Sequence, residues 1–186
     1  MNELWWVLII ESVAVAGIGS LLHFCYEWSG KNKLVGIFAA VNESTWEHVK
    51  LALSGIFVCT LVDVWFLGSN PNYWLARSLS FVMPVIVIPM VFYTYTAFTG
   101  RPVLMTDILS FVLAAIMSTL VFVLVLSLPA VDEGWEVLSM ALGLVILVLY
   151  LLWTRFPIRG NKLFRDPITH KYSYEAFRPL FGKKKK

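Results

Sequence analysis

Charge is the scarcest resource in this 186-residue chain. Lysine, arginine, aspartate and glutamate make up only 15% of it, while hydrophobic residues reach 59%. An ordinary globular domain carries about 25% charge. A water-soluble domain of this length lacks the interior to hide so much apolar surface, so a soluble fold is excluded and a bilayer is the expected solvent. Cysteine is nearly absent too. Cys25 and Cys59 lie in different apolar stretches and read as small core residues rather than a disulfide. There is no phosphate loop, dinucleotide fingerprint or nucleophile elbow, which removes the common nucleotide and hydrolase signatures. There are no internal repeats. A secretory signal is not expected at the N-terminus. It has no basic leader, and Glu3 and Glu11 interrupt the apolar run.

What remains is long apolar segments. A membrane-crossing helix needs about 20 mostly apolar residues. Five stretches meet that length, at residues 4–28, 46–68, 73–100, 107–128 and 135–154. Residues 78–100 and 108–131 contain no charged side chain at all. Pro84 and Pro89 predict a kink in the third span, since each removes a backbone donor. The expected fold is an all-α, polytopic membrane helix bundle of about five spans (1–154), followed by a basic tail (155–186).

The lysines and arginines predict its orientation. With the tail in the cytoplasm, fourteen of the fifteen lie at inside ends: Lys31, Lys33, Lys50, Arg101 and the ten of the tail. Only Arg77 falls near an outside end, and Asp132, Glu133 and Glu136 occupy an outside loop. The N-terminus is then outside. All eight tryptophans sit near predicted helix ends, as interfacial belts require. Ser29 to Lys33 reads as a turn. The apolar residues 34–41 are too few to span and are expected to lie on the surface or to dip in and return. Ser12, Ala16 and Ser20 form a small-residue stripe suited to close helix contact on the first span. The basic tail, ending in Lys183 to Lys186, is expected to attract anionic lipid, at about 1 kcal/mol per basic residue. Topology accounts for this charge, so nucleic acid is not an expected partner. A homo-oligomer is compatible with the sequence.

Ionisable side chains inside the spans cost at least about 2.5–3.5 kcal/mol each near a helix centre, so each calls for a reason. An inner group gathers His23, Glu27, Glu43, Glu47 and His48. His23 and Glu27, four residues apart, share a helix face. A short linker makes the first two spans neighbours. Imidazole with carboxylate suits zinc, manganese or non-haem iron, with His23, Glu27, Glu43 and His48 as the ligand set. It suits metal-free acid–base chemistry equally well. The plainer reading is that Ser44-Thr45-Trp46-Glu47 forms a capping box, leaving Glu47 to satisfy a helix-start donor. Asp107 is likewise expected to cap a helix start. An outer group gathers Glu11, Asp63 and Arg77 at similar depth on three spans. It is expected to form a buried ion-pair cluster, or else to line a proton or cation path.

Three functions stay open at this stage. The inner pocket could bind or transform a small molecule or lipid. Glu11 and Asp63 could serve a proton-coupled transporter or channel. The polar residues could be purely structural.

The run His23-Phe24-Cys25-Tyr26-Glu27-Trp28-Ser29-Gly30 is followed by Ala40-Val41-Asn42-Glu43-Ser44-Thr45-Trp46-Glu47-His48-Val49-Lys50. With Leu163 to Thr169 and Tyr172, these residues resemble a bacterial family of small multi-pass membrane proteins of unknown function. The Asn-Glu-Ser-x-Trp-Glu-His run is its most distinctive feature. The resemblance implies a bacterial plasma membrane location and no particular activity. In that family's pattern small residues flank the tail tyrosine. This chain has His170 and Ser173 there, which makes His170 a poor candidate for a shared site.

Overall fold

The computed structural model describes residues 4–177. Its helices are α1 (Leu4–Trp28), α2 (Val35–Phe38), α3 (Thr45–Leu67), α4 (Tyr73–Thr99), α5 (Leu104–Leu126) and α6 (Glu133–Arg155). Two short 3-10 turns follow at Lys162–Phe164 and Ser173–Ala176. Five of the six helices are long and apolar enough to cross a membrane; α2 is not. The expected lysine run at Lys183 to Lys186 lies outside the described residues.

Packing explains why the outer faces stay greasy. α1 packs on α3 and α5, α4 packs on α5, α3 and α6, and large side chains on α1 and α6 point outward. Trp5, Trp6, Ile9, Ile10 and Val13 on α1, and Leu138, Leu144 and Val145 on α6, are all exposed. Contiguous apolar surface on that scale is unsustainable in water and natural in lipid.

The α1–α3 contact differs from the expected stripe. The buried face of α1 carries Glu11, Val15 and Gly19, while Ser20 is exposed and bonds its own Ala16 carbonyl at 2.7 Å. Close approach depends on glycine. A methyl group on Gly55 of α3 would sit 2.9 Å from the Val15 carbonyl oxygen. This contact brings the tail-side ends of α1 and α3 together.

α4 runs continuously through Pro84 and Pro89. Its start is held by Asn72, which is buried. The Asn72 side chain donates to the Val125, Leu128 and Pro129 carbonyls and accepts the Val131 N–H at 2.9 Å. One amide thereby ties the α3–α4 connection to the turn between α5 and α6.

The segment 34–41 turns back into the bundle. Gly36 and residues 39–41 are buried. Three buried side chains satisfy its carbonyls: Lys50 Nζ donates to Gly36 at 3.0 Å, Tyr150 Oη to Ile37 at 2.7 Å and Ser54 Oγ to Phe38 at 3.1 Å. Irregular backbone is tolerable at such a place because protein groups replace water. Lys50 is therefore an interior residue, fully buried, and not one of the solvated loop cations with which it was grouped on sequence.

The tail also departs from expectation. It is no simple extension after α6. Phe164 packs at 5.3 Å from Trp46 and 5.7 Å from Trp153, closing a three-ring cluster. Asp166 is fully buried and binds the Ile168 N–H, the Thr169 N–H and the Thr169 hydroxyl through Oδ1. An isolated bridge from Arg165 to Tyr172 closes this loop. The tail thus caps the end of the bundle where α1 finishes and α3 begins. Tyr174 docks there and donates to the Lys33 carbonyl at 3.3 Å; burial pushes its phenol pKa up, with Tyr26 and Glu47 adding to the rise.

Candidate functional site

Two clusters of ionisable residues sit at opposite ends of the bundle. At the far end, the Arg77 guanidinium lies between two acids. Its Nη1 meets Glu11 Oε1 at 2.5 Å and its Nη2 meets Asp63 Oδ2. The Tyr73 hydroxyl donates to the other Asp63 oxygen at 2.5 Å. Arg77 also stacks over Phe122, 3.6 Å from the ring centroid. This is the cluster of Glu11, Asp63 and Arg77 singled out on sequence, drawn from α1, α3 and α4. It is closed off: Arg77 and Glu11 are both buried.

At the tail-side end the geometry is different. His23 comes from the last turns of α1, His48 from the first turn of α3, and Glu43 from the loop before α3. His23 Nε2 lies 3.7 Å from Glu43 Oε2, and His48 Nε2 lies 3.8 Å from the same oxygen. The imidazole rings are 5.8 Å apart and set edge to face. All three are part-exposed, at 26%, 20% and 32% for His23, His48 and Glu43. Glu27, one turn beyond His23, lines a small cleft beside His23 and Glu43.

Hydrogen bonding fixes how these groups face each other. His48 Nδ1 lies 3.1 Å from the Ser44 carbonyl oxygen. A carbonyl only accepts, so Nδ1 carries the hydrogen, and the neutral ring turns the Nε2 lone pair toward Glu43. His23 Nδ1 is buried without a hydrogen-bond partner among the described residues. Lone pairs of imidazole and carboxylate facing one another repel unless a proton or cation lies between them. The ligand atoms of His23, Glu43 and His48 all fall within 4.8 Å of one another. Bonds of about 2.0–2.2 Å to one zinc-class ion would place them about 3.0–3.6 Å apart. All three side chains are part-exposed, and the gap left to close is about 1–2 Å. The His48 link to a backbone carbonyl is the orienting contact that ligating histidines usually make.

Glu47, included with this group on sequence, faces elsewhere. Its Oε2 pairs with Lys50 Nζ at 2.6 Å and accepts the Val41 N–H at 2.9 Å. The capping box read from Ser44 to Glu47 does not form either. Ser44 occupies the N-cap without a side-chain cap bond, and its N–H goes to Asn42 Oδ1 at 2.7 Å. The Glu47 carboxylate serves the returning segment and the buried ammonium instead, where an unpaired charge would be far more costly than an unmade cap.

Two further residues belong to this end and escaped the sequence reading as site residues. Asp166 Oδ2 accepts the Glu43 N–H at 2.9 Å, and Asn42 donates to the Ser173 carbonyl at 3.0 Å, so the tail grips the loop that presents Glu43. Asp166 lies in the Leu163 to Thr169 run noted for its family resemblance, but nothing in that run named the loop it would grip. Asp107 does not cap α5. That helix starts at Leu104 with Val103 as N-cap, and Asp107 accepts the Tyr95 hydroxyl at 2.5 Å. Beside His48 and Glu43 opens a cleft of about 380 Å³, lined by Asp107 and by Phe92, Leu104, Pro167 and Ile168 among others.

The fold and this end together define a class: an all-α bundle with five helices long and apolar enough to cross a membrane, and a part-exposed histidine–carboxylate cluster at one end. The chain belongs to DUF6512, a family of unknown function, whose model matches residues 1–174. No curated protein and no solved structure matches it.

Proposed function

We propose that the protein is a multi-pass plasma membrane protein of bacterial type that binds a divalent transition metal at His23, Glu43 and His48. The observation that carries this reading is the convergence of two imidazole Nε2 atoms on one carboxylate oxygen, at 3.7 and 3.8 Å, with the His48 ring oriented by Ser44. Two histidines and one carboxylate suit zinc or non-haem iron. Glu27 stands close enough to share the outer sphere. On this reading α1 and α3 to α6 cross the membrane and the tail-side end faces the cytoplasm, supported by the basic residues gathered there. Anionic headgroups are the partners of that surface, to which the exposed Arg159, Lys162 and Lys171 contribute.

The transporter reading has less support. Between the two clusters the interior is filled by Val15, Ile56 and Ala115, all fully buried. Ser118 and Thr119 bond carbonyls of their own helix there.

Elemental analysis of purified protein tests the proposal. Wild type should carry close to one equivalent of metal, and His23→Ala and His48→Ala should carry almost none. A metal-free wild type after zinc or iron supplementation would sink it.

A further inference from the structure

A centre with three protein ligands keeps a coordination position open, whereas structural zinc is closed by four. Two of the three proposed ligands, Glu43 and His48, line a cleft of mixed character. Its polar side is Glu43, His48 and Asp107; its apolar side is Phe92, Leu104 and Ile168 with two prolines. Leu104 and Ile168 are exposed, at 76% and 55%, so the apolar side continues to the protein surface at the end of the bundle. Such a cleft takes a molecule with a polar group at one end and hydrocarbon at the other.

Asp107 is the remaining acid in this cleft. Asp166 also lines it, but its carboxylate is consumed by the Glu43, Ile168 and Thr169 donors. Asp107 is held by the Tyr95 hydroxyl at Oδ1, and Tyr95 is itself fixed by the Val103 N–H at 3.1 Å. Asp107 thus shares its cleft with Glu43 and His48 and is oriented by a third group, as the bases of hydrolytic centres are.

Building on the metal reading, we propose that the site hydrolyses an amphipathic acyl ester or amide, with Asp107 as the general base. Water is the co-reactant. Its oxygen bonds to the acyl carbon while Asp107 takes its proton. The bond from carbon to the alkoxy oxygen or amine nitrogen breaks, and that proton passes to the departing oxygen or nitrogen. The products are a carboxylic acid and an alcohol or amine, with no change of oxidation state. The hydrocarbon lies against Phe92, Leu104 and Ile168.

The test uses the full-length, zinc-supplemented protein in detergent, with metal content measured first. The probes are p-nitrophenyl octanoate, octanoyl p-nitroanilide, and the hydroxamates of octanoic and acetic acid. Asp107→Asn should keep its metal and lose about 100-fold or more in turnover, the usual contribution of a general base. Octanoyl hydroxamate should bind wild type at least about ten-fold tighter than acetohydroxamate, because each buried methylene adds to affinity. A metal-loaded wild type that turns over neither octanoyl probe overturns the hydrolytic inference and leaves the metal reading intact. So does Asp107→Asn with full metal and unchanged turnover. Equal affinity for the two hydroxamates overturns the amphipathic substrate. A wild type without metal removes both readings together.

Discussion

The two charged clusters are built from similar residues and behave as opposites. At the far end, one arginine is locked between Glu11 and Asp63, under Phe122 and beside Tyr73, in apolar surroundings. Opposite charges already touch, and Glu11 and Arg77 are buried. At the tail-side end, the His23 and His48 Nε2 atoms approach one Glu43 oxygen to 3.7 and 3.8 Å and stop, and Glu43 and His48 border an open cleft. In the first, opposite charges meet within the protein, although Glu11 Oε2 and Arg77 Nε keep no hydrogen-bond partner among the described residues. In the second, the ring nitrogens and the carboxylate stop short of hydrogen-bond distance and leave room for a cation. Ionisable residues within apolar helices each call for a reason, and here the geometry separates a cluster that joins three helices by ion pairs from one that is part-exposed beside a cleft.

The sharpest way to break this comparison is to remove Arg77. Arg77→Met leaves the buried Glu11 and the part-buried Asp63 without their cation, and breaking a buried pair costs about 3–5 kcal/mol. Thermal unfolding in detergent, followed by fluorescence-detected size exclusion, should show the folded fraction collapsing. The triple variant Glu11→Gln, Asp63→Asn, Arg77→Met should recover much of the loss, because no charge is stranded. Glu43→Gln in metal-free protein should change stability by no more than about 0.5 kcal/mol, as expected for a part-exposed site away from the core. Equal damage from Arg77→Met and Glu43→Gln would erase the distinction.

Metal is the next lever, and it should act on one cluster alone. A ligand present at about 100 times its Kd stabilises the folded state by about 2.7 kcal/mol. Zinc should raise the melting temperature of wild type and of the triple far-end variant alike. A chelator should reverse the rise, and His48→Ala should abolish it. A zinc-induced shift that survives His48→Ala would place the ion elsewhere.

The five apolar helices were legible because length and charge depletion are properties of contiguous residues. His23, Glu43 and His48 were legible as a group because a short linker forces α1 and α3 to be neighbours. Glu47 was grouped with them because it stands at the same helix start as Glu43 and His48. The structure turns it toward Lys50, a partner one helical turn ahead that had been counted only as an inside-end cation. Asp107 read as a cap because Thr106 precedes it, yet α5 begins three residues before it. The role of Asp166 was beyond reach: its bond to the Glu43 N–H joins residues 123 apart in sequence, and no local pattern encodes that. The tail's aromatic anchor was missed for a similar reason, since Phe164 finds Trp46 and Trp153 only after the bundle has assembled.

That long-range bond gives a graded test of the open cluster. Asp166→Asn would set an amide NH2 group or a carbonyl against donors that now share a full carboxylate. The cost to folding should be about 1–3 kcal/mol, the range for a buried group left unsatisfied. Metal affinity should fall by about 10–100-fold, as when an orienting partner is lost. Competition with a fluorescent zinc chelator would measure it. Unchanged affinity in a folded Asp166→Asn protein would show that the tail does not position Glu43.

The smallest effect expected is at Ser44, and it separates two accounts of the same four residues. If Ser44 to Glu47 formed a capping box, Ser44→Ala would remove a helix-start bond and cost about 0.5–2 kcal/mol. In the structure the Ser44 hydroxyl makes no cap bond, and the group contributes through its backbone: its carbonyl orients His48, and its N–H binds Asn42. Alanine keeps both. Ser44→Ala should therefore melt within about 0.3 kcal/mol of wild type and hold zinc with unchanged affinity. Ser44→Pro would be the opposite case, since it deletes the N–H that Asn42 accepts while leaving the carbonyl that orients His48. A costly Ser44→Ala would return Glu47 to the cap, free Lys50 of its partner, and undo the contrast between a helix start held by backbone and a buried charge held by Glu47.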